Sequence, residues 1–120
     1  MTSPWPWPSF TPDEIRCKGT GKLYILPEAM DALQLARDIV GLPFHINSAY
    51  RSPEHNKAVG GAKNSYHVRG MAFDISLRNH DRSLLLAALK SAGFKGIGHY
   101  DTFIHADIRP GAPVVFDRRH

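Results

Sequence analysis

Two short apolar segments of this chain contain ionisable residues at positions that a β-strand would bury. Asp74 lies inside the run AFDI at 72–75, and His105 and Asp107 lie inside FIHADI at 103–108. Since strand side chains alternate between two faces, the second run is predicted to have a polar face with both ionisable residues and an apolar face of Ile104, Ala106 and Ile108. An unpaired buried carboxylate costs several kcal/mol. The fold must therefore bring a cation, a metal or hydrogen-bond donors to these strands.

The rest of the sequence predicts a single α+β domain over residues 1–120. Helices are predicted at three start signals, Thr11, Pro27 and the Ser52-Pro53 pair, and at the apolar spacing of 84–89. Alternating or apolar runs predict strands at 44–48, 71–76, 96–100 and 103–108. A chain of 120 residues can form one hydrophobic core but not two. We expect a small antiparallel sheet flanked by helices.

The two ends of the domain are predicted to be an arm and a tail. The arm, 1–10, contains Trp5, Trp7 and Phe10 among prolines, and since large aromatic rings are costly to expose, we expect it to pack onto the domain. The C-terminal tail, 110–120, is predicted to add one packed segment at 114–116, with 117–120 fraying.

The composition argues against several classes of protein. Cys17 is the only cysteine, which excludes an intrachain disulfide and a zinc site made of several thiolates. The net charge of +4 favours an anionic partner, but no run of basic residues indicates nucleic acid, and we predict none. The apolar stretches are shorter than the roughly 20 residues that a membrane span needs, so membrane insertion is not expected either.

Histidine and aspartate positions are compatible with a metal site. His67 precedes Asp74 by seven residues, and His105 lies in the last polar strand. Two imidazoles and one carboxylate are a ligand set of catalytic zinc sites, where the fourth position stays open for water. Histidine and aspartate pairs on a sheet also form purely structural hydrogen bonds. The residue types alone leave both interpretations open.

Several segments, in this order, resemble one known family. They are INSAYRSPEHN at 46–56, VGGA at 59–62, SYH at 65–67, RG at 69–70, AFD at 72–74, GIGHY at 96–100 and FIHAD at 103–107. Together they resemble the M15 family of zinc peptidases, of the D-alanyl-D-alanine carboxypeptidase or L-alanyl-D-glutamate endopeptidase type, over about residues 10–109. The resemblance implies a small α+β fold shared with the hedgehog signalling domain.

The resemblance also implies a ligand set and a substrate contact. The family's histidine and aspartate pair and its late histidine fall on His67, Asp74 and His105, which implies one zinc ion per chain. Arg51 resembles the family arginine that grips a substrate carboxylate, a role suited to a planar guanidinium. A surface ion pair is the alternative for this arginine.

Other residues are predicted to take part without a decisive signal. Many M15 relatives place an acid three residues before the last ligand, but Thr102 is there in this chain. Asp107 and Asp101 are the remaining candidates for the general base, and Asp107 is preferred. Its alternative role is to accept the second N–H of a ligand imidazole. His99 is predicted to line the cleft and steady the tetrahedral intermediate.

Two serines complete the predicted site. Ser48 and Ser65 are predicted to hydrogen-bond substrate or ligand. Neither has the histidine and carboxylate partners of a serine nucleophile. For Ser65, orienting the loop that carries His67 is the alternative role.

These features predict a zinc metallopeptidase acting on peptidoglycan stem peptides, as a D,D-carboxypeptidase or an endopeptidase. Residues 1–10 lack the pattern of a signal peptide. We therefore expect a phage or prophage endolysin, made in the cytoplasm and acting on the cell wall after release, or a component of a phage-like particle that contacts other virion proteins. The alternative is a non-catalytic, zinc-containing module of such a particle that binds cell wall or has a structural role.

Overall fold

A computed structural model describes residues 5–62 and 65–120 of the chain. Within these ranges the helices are α1 (Pro12–Ile15), α2 (Pro27–Val40), α3 (Pro53–Ala58) and α4 (Arg82–Ser91), with a 3-10 helix at Tyr66–Arg69. The strands are β1 (Ile46–Ser48), β2 (Ala72–Ser76), β3 (Gly96–His99), β4 (Phe103–Asp107) and β5 (Val114–Asp117). This order of elements confirms the predicted α+β class.

Local signals set the ends of the first two helices. The Thr11 hydroxyl accepts a hydrogen bond from the Glu14 backbone N–H, and the Glu14 carboxylate accepts one from the Thr11 N–H at 2.9 Å, which closes a capping box on α1. Helix α2 begins at Pro27 and ends at Gly41, whose φ of 75° lies in the left-handed region that favours glycine. Both helices form where the sequence predicts them.

The strands of the described ranges form one sheet in the order β1-β2-β4-β3-β5. The first four pair antiparallel, as predicted, whereas β5 pairs parallel with β3. The sheet is therefore mixed, and the segment predicted to pack at 114–116 is an edge strand. Asp117 does not fray, because it is the last residue of β5 and the next N–H, of Arg118, donates to the His99 carbonyl at 2.7 Å.

The pairing register assigns the strand residues to two faces. Asp74, His105 and Gly98 lie opposite one another across β2, β4 and β3, so they share a face. The other face packs against helices α2 and α4 in the hydrophobic core. The buried core residues of this face are Ile75, Ile97, Ile104 and Ala106, and those of the two helices include Leu33 and Leu85. The predicted alternation of polar and apolar residues along β4 is confirmed. The polar face is left for the candidate site.

The N-terminal arm packs onto this core, as its aromatic residues predicted. Trp7 and Phe10 are buried, and the Trp7 indole N–H donates to an Asp31 carboxylate oxygen at 2.9 Å. Trp5 packs edge-on against Trp7 with ring centroids 5.0 Å apart. Residues 1–4 of the predicted arm lie outside the described ranges. Among the described helices, none combines the length and the apolar character needed to span a bilayer.

Candidate metal centre

The three predicted ligands meet on the polar face of the sheet. His67 comes from the 3-10 helix, Asp74 from β2 and His105 from β4. His67 Nε2 lies 3.2 Å and His105 Nδ1 lies 3.1 Å from the same oxygen, Asp74 Oδ1. All three ligand atoms lie within 4.8 Å of one another. The fold therefore brings together residues that are far apart in the sequence.

The spacing of these atoms fits a small dication. Zinc bonds to nitrogen and oxygen are about 2.0–2.2 Å, so adjacent ligand atoms of a tetrahedral site lie about 3.3–3.6 Å apart. The two distances to Asp74 Oδ1, 3.2 and 3.1 Å, are close to that value. Three protein ligands leave the fourth position for water or substrate, which is the pattern of catalytic rather than structural zinc.

The hydrogen bonds of the two imidazoles also favour a cation. The His67 Nδ1–H donates to the Ala49 carbonyl at 2.8 Å, and the His105 Nε2–H donates to Asp107 Oδ2 at 2.7 Å. A neutral imidazole has only one N–H. The remaining nitrogen of each ring therefore points a lone pair at Asp74, unless a second proton or a metal ion lies between them. This donor set matches the residues needed to hold zinc.

The contacts within the cluster change the pKa values of Asp74 and His105. Burial alone would raise the pKa of Asp74, but hydrogen bonds from His105 and His67, in the state where the facing nitrogens carry a proton, outweigh burial and hold that pKa below its usual range. Burial would lower the pKa of His105, yet the bonds to Asp107 and Asp74 raise it to about 8. The cluster therefore keeps Asp74 ionised, which a metal ligand requires.

Asp107 bonds the His105 ring nitrogen that faces away from Asp74. Its side chain is fully buried and also accepts hydrogen bonds from Arg109, at 2.8 Å from Nε, 2.7 Å from the terminal nitrogen and 3.1 Å from the backbone N–H. Burial would raise the pKa of Asp107, but these bonds hold it below its usual range. A β-carbon at Gly96 would lie 2.1 Å from Asp107 Oδ1, so only glycine leaves room for this pair. Asp107 fixes the ring of His105.

A cleft of about 390 Å³ opens over the cluster. Two predicted substrate contacts, Arg51 and Ser65, line it, whereas Ser48 contacts it only through Arg51. The Ser65 hydroxyl accepts the His67 backbone N–H at 3.2 Å. The described residues that line the cleft are Arg51, Gly61, Ala62, Ser65, Tyr66, His67, Asp74, Tyr100, His105, Arg109, Phe116 and Arg118.

The other predicted residues lie outside this lining. His99 pairs with Ile104, on the core face of the sheet, and Arg82 of α4 donates to its Nδ1 at 3.0 Å. We therefore leave His99 out of the candidate site. Asp101 is exposed in the turn before β4, where it accepts the His120 backbone N–H at 3.2 Å. Among the described residues, neither Asp101 nor Asp107 lines the cleft.

Seven lining residues were not assigned to the site from the sequence, namely Gly61, Ala62, Tyr66, Tyr100, Arg109, Phe116 and Arg118. Two of them, Phe116 and Arg118, were expected only as parts of the tail. One signal could have indicated the tail residues. Gly96 and Gly98 alternate along β3 and leave space on the polar face, which a neighbouring strand can fill with a large side chain.

An α+β fold with an open cleft lined by two imidazoles and one carboxylate is compatible with the class of metal-dependent hydrolases. The family model for Peptidase M15 matches residues 8–107. The chain belongs to the M15 peptidase family, which confirms the resemblance drawn from its motifs.

Curated relatives agree with this family. The peptidoglycan L,D-endopeptidase MepK of Escherichia coli strain K12 is 31% identical over 93 residues, which is 70% of this chain and 51% of the relative. The MepK of Shigella flexneri matches to the same extent. The chain spans about half the length of these relatives.

Proposed function

We propose that this protein is a zinc-dependent peptidase that hydrolyses peptide bonds in the stem peptides of bacterial peptidoglycan. The observation that carries the proposal is the convergence of two imidazoles on one carboxylate oxygen, at 3.1 and 3.2 Å, in the lining of an open cleft. M15 membership supports peptidase chemistry at such a cluster.

The candidate ligand residues would hold the metal, and their neighbours orient the ligand imidazoles. Zinc held by His67, Asp74 and His105 would polarise a scissile carbonyl and lower the pKa of a bound water to about 7. The Ala49 carbonyl and the Asp107 carboxylate each accept one imidazole N–H, so the opposite nitrogens present lone pairs to the metal.

Arg51 is proposed to bind a substrate carboxylate. Its guanidinium donates to the Asn56 side-chain oxygen at 2.8 Å and to the Ser48 hydroxyl at 3.4 Å. These partners are neutral, so they orient the group without cancelling its charge. Arg51 is half-buried. A guanidinium held in this way is suited to bidentate recognition of a carboxylate. Ser48 is then a positioning residue for Arg51.

The general base is proposed to be Asp101 rather than Asp107. Every oxygen of Asp107 already accepts a hydrogen bond from His105 or Arg109. Asp101 is exposed and follows Tyr100, which lines the cleft. The test compares Asp101→Asn with Asp107→Asn: loss of turnover with zinc retained identifies the base.

Peptidoglycan is proposed as the substrate on two grounds. The relatives named above are peptidoglycan L,D-endopeptidases, and the chain has a net charge of +4, which suits the acidic cell wall. The name of these relatives favours an endopeptidase over a D,D-carboxypeptidase. The two activities differ in product, because a carboxypeptidase releases single D-alanine residues and an endopeptidase releases peptides.

Digestion of purified peptidoglycan tests the proposal. The zinc-loaded protein, His67→Ala and the matched control His45→Ala are incubated with peptidoglycan, and new termini are identified by mass spectrometry. His45 is exposed and outside the cluster. We expect release of peptides by the wild type and His45→Ala, and none by His67→Ala. Equal release by all three, or by none, would contradict the proposal.

A second candidate function is a non-catalytic module that binds cell-wall peptide. Thr102 favours it, because the acid that many relatives carry there is missing, and neither Asp101 nor Asp107 lines the described cleft. This candidate predicts zinc and peptide binding with no new termini in the same digestion. The phage or prophage origin, release to the cell wall and contact with virion proteins stay predictions.

A further inference from the structure

The C-terminal strand supplies one wall of the cleft from outside the family match. That match ends at residue 107, whereas β5 and the residue after it lie beyond. Phe116 and Arg118 both line the cleft that contains the metal cluster. This wall therefore lies outside the part of the chain that matches the family model.

The sheet holds both residues in place. Phe116 lies opposite Gly98 in the β3–β5 pair, and a β-carbon at Gly98 would come within 2.4 Å of the Phe116 ring. Because glycine leaves that space, the ring reaches the candidate ligand His105, with ring centroids 5.7 Å apart. The Arg118 backbone N–H donates to the His99 carbonyl at 2.7 Å, and its guanidinium carbon lies 5.7 Å from the Phe116 centroid.

Arg109 and Arg119 form ion pairs with carboxylates, whereas Arg118 forms none among the described residues. Arg109 pairs with Asp107, and Arg119 pairs with Asp117. Across residues 5–62 and 65–120, no carboxylate lies within ion-pair distance of Arg118, nor of Arg51. Two cations in one cleft are therefore available to an anionic ligand.

The strand order separates these two cations. Arg51 follows β1 and Arg118 follows β5, and the strands β2 and β4, which carry Asp74 and His105 of the metal cluster, lie between them. Neighbouring strands are about 4.8 Å apart, so β5 lies about 10 Å from β4. An extended peptide advances about 3.4 Å per residue. A group bound at Arg118 therefore belongs to a residue within about three positions of the scissile bond.

We infer that Phe116 and Arg118 form a carboxylate-binding subsite, on the opposite side of the metal cluster from Arg51. The preferred substrate then carries a free carboxylate on each side of the bond that is cut. The inference rests on the proposed function for its class of ligand, a stem peptide. Phe116 supports the guanidinium and Arg118 makes the charged contact.

A panel of synthetic peptides tests the subsite. The parent is L-alanyl-γ-D-glutamyl-meso-diaminopimelyl-D-alanine, and each analogue has one carboxylate replaced by a carboxamide. Dissociation constants for the zinc-loaded protein are measured by calorimetry, and kcat/KM replaces them wherever a peptide is hydrolysed. The variants are Arg118→Gln and the matched control Arg119→Gln, which changes the same charge next to the cleft.

We expect two analogues to bind the wild type about tenfold more weakly than the parent, one that lacks the carboxylate bound by Arg51 and one that lacks the carboxylate bound by Arg118, as for a lost charged hydrogen bond. Arg118→Gln should bind the parent and the second of these analogues equally, whereas Arg119→Gln should discriminate against both. Discrimination against both analogues that survives in Arg118→Gln, or that disappears equally in both variants, overturns the subsite. So does an absence of peptide binding.

The outcome separates the subsite from the proposed function. Hydrolysis without discrimination among the peptides overturns the subsite and leaves the peptidase intact. Discrimination in binding without hydrolysis supports the subsite and contradicts the peptidase. The wild-type comparison keeps the subsite falsifiable even if Arg118→Gln unfolds, because the subsite requires two discriminated analogues and discrimination against one alone overturns it.

Discussion

Asp107→Asn should weaken zinc binding without abolishing the fold. The carboxylate is fully buried and accepts four hydrogen bonds, one from His105 and three from Arg109. Asparagine has the same shape, but its amide nitrogen cannot accept a hydrogen bond. Each carboxylate oxygen accepts two of the four bonds, so two donors must lose their partner, either two of Arg109 or one each of Arg109 and His105.

The magnitudes follow from these contacts. Loss of the group that orients a ligand imidazole costs about 10–100-fold in metal affinity, or about 1.4–2.7 kcal/mol. Breaking a fully buried ion pair costs about 3–5 kcal/mol in the free energy of unfolding. The Arg109 side chain is 18% exposed, so we take the lower end, about 3 kcal/mol. Zinc affinity is measured by competition with a chromophoric chelator, and stability by urea unfolding of the metal-free protein.

Asp117→Asn is the matched control. Asp117 pairs with Arg119 two residues later, just as Asp107 pairs with Arg109, but Asp117 is on the exposed edge strand and contacts no candidate ligand. It should leave zinc affinity unchanged and the urea midpoint close to that of the wild type, because exposed ion pairs contribute little to stability. Wild-type zinc affinity in Asp107→Asn would refute the positioning role, and lost turnover with that affinity intact would make Asp107 the base.

Three further predictions concern protonation, the cleft wall and the core. Because the pKa of metal-free His105 is raised to about 8, zinc must displace its proton. Zinc binding at pH 7 should therefore release close to one proton, measured by calorimetry in buffers of different ionisation enthalpy. The apparent zinc affinity should fall about tenfold per pH unit below about pH 8. The same raised pKa stabilises the metal-free fold below about pH 6.5, and this stability is lost as the pH rises through 8; a urea midpoint independent of pH would contradict it. Gly98→Ala should displace Phe116, whose ring atoms lie 2.4 Å from the added carbon, and raise KM for stem peptides several-fold with one zinc per chain retained; an unchanged KM would contradict this. Trp7→Ala should lower the free energy of unfolding by about 3 kcal/mol, since the ring is buried, and an altered zinc affinity in this variant would contradict the separation of arm and site.

Sequence reasoning succeeded where the physical cause is local. The capping box at Thr11 and the left-handed Gly41 fix helix ends through neighbouring residues alone. The alternation along 103–108 predicted the two faces of β4, because a strand has a fixed period of two. The ligand set His67, Asp74 and His105 was predicted from motifs, and the fold brings it together.

It failed where long-range pairing decides the outcome. His99 was assigned to the cleft, but its pairing with Ile104 turns it to the core face. The parallel pairing of β5 with β3 was not predicted, since nothing near residues 114–117 specifies which strand they join. As a result, Phe116 and Arg118 were left in a tail rather than in the cleft wall.

Anomalous diffraction at the zinc edge, from crystals grown with zinc, tests the metal centre most directly. The account predicts one ion per chain, at about 2.0–2.2 Å from His67 Nε2, His105 Nδ1 and Asp74 Oδ1. It also predicts that the other imidazole nitrogens keep their bonds to the Ala49 carbonyl and to Asp107. An anomalous peak elsewhere, or no peak at saturating zinc, would contradict it.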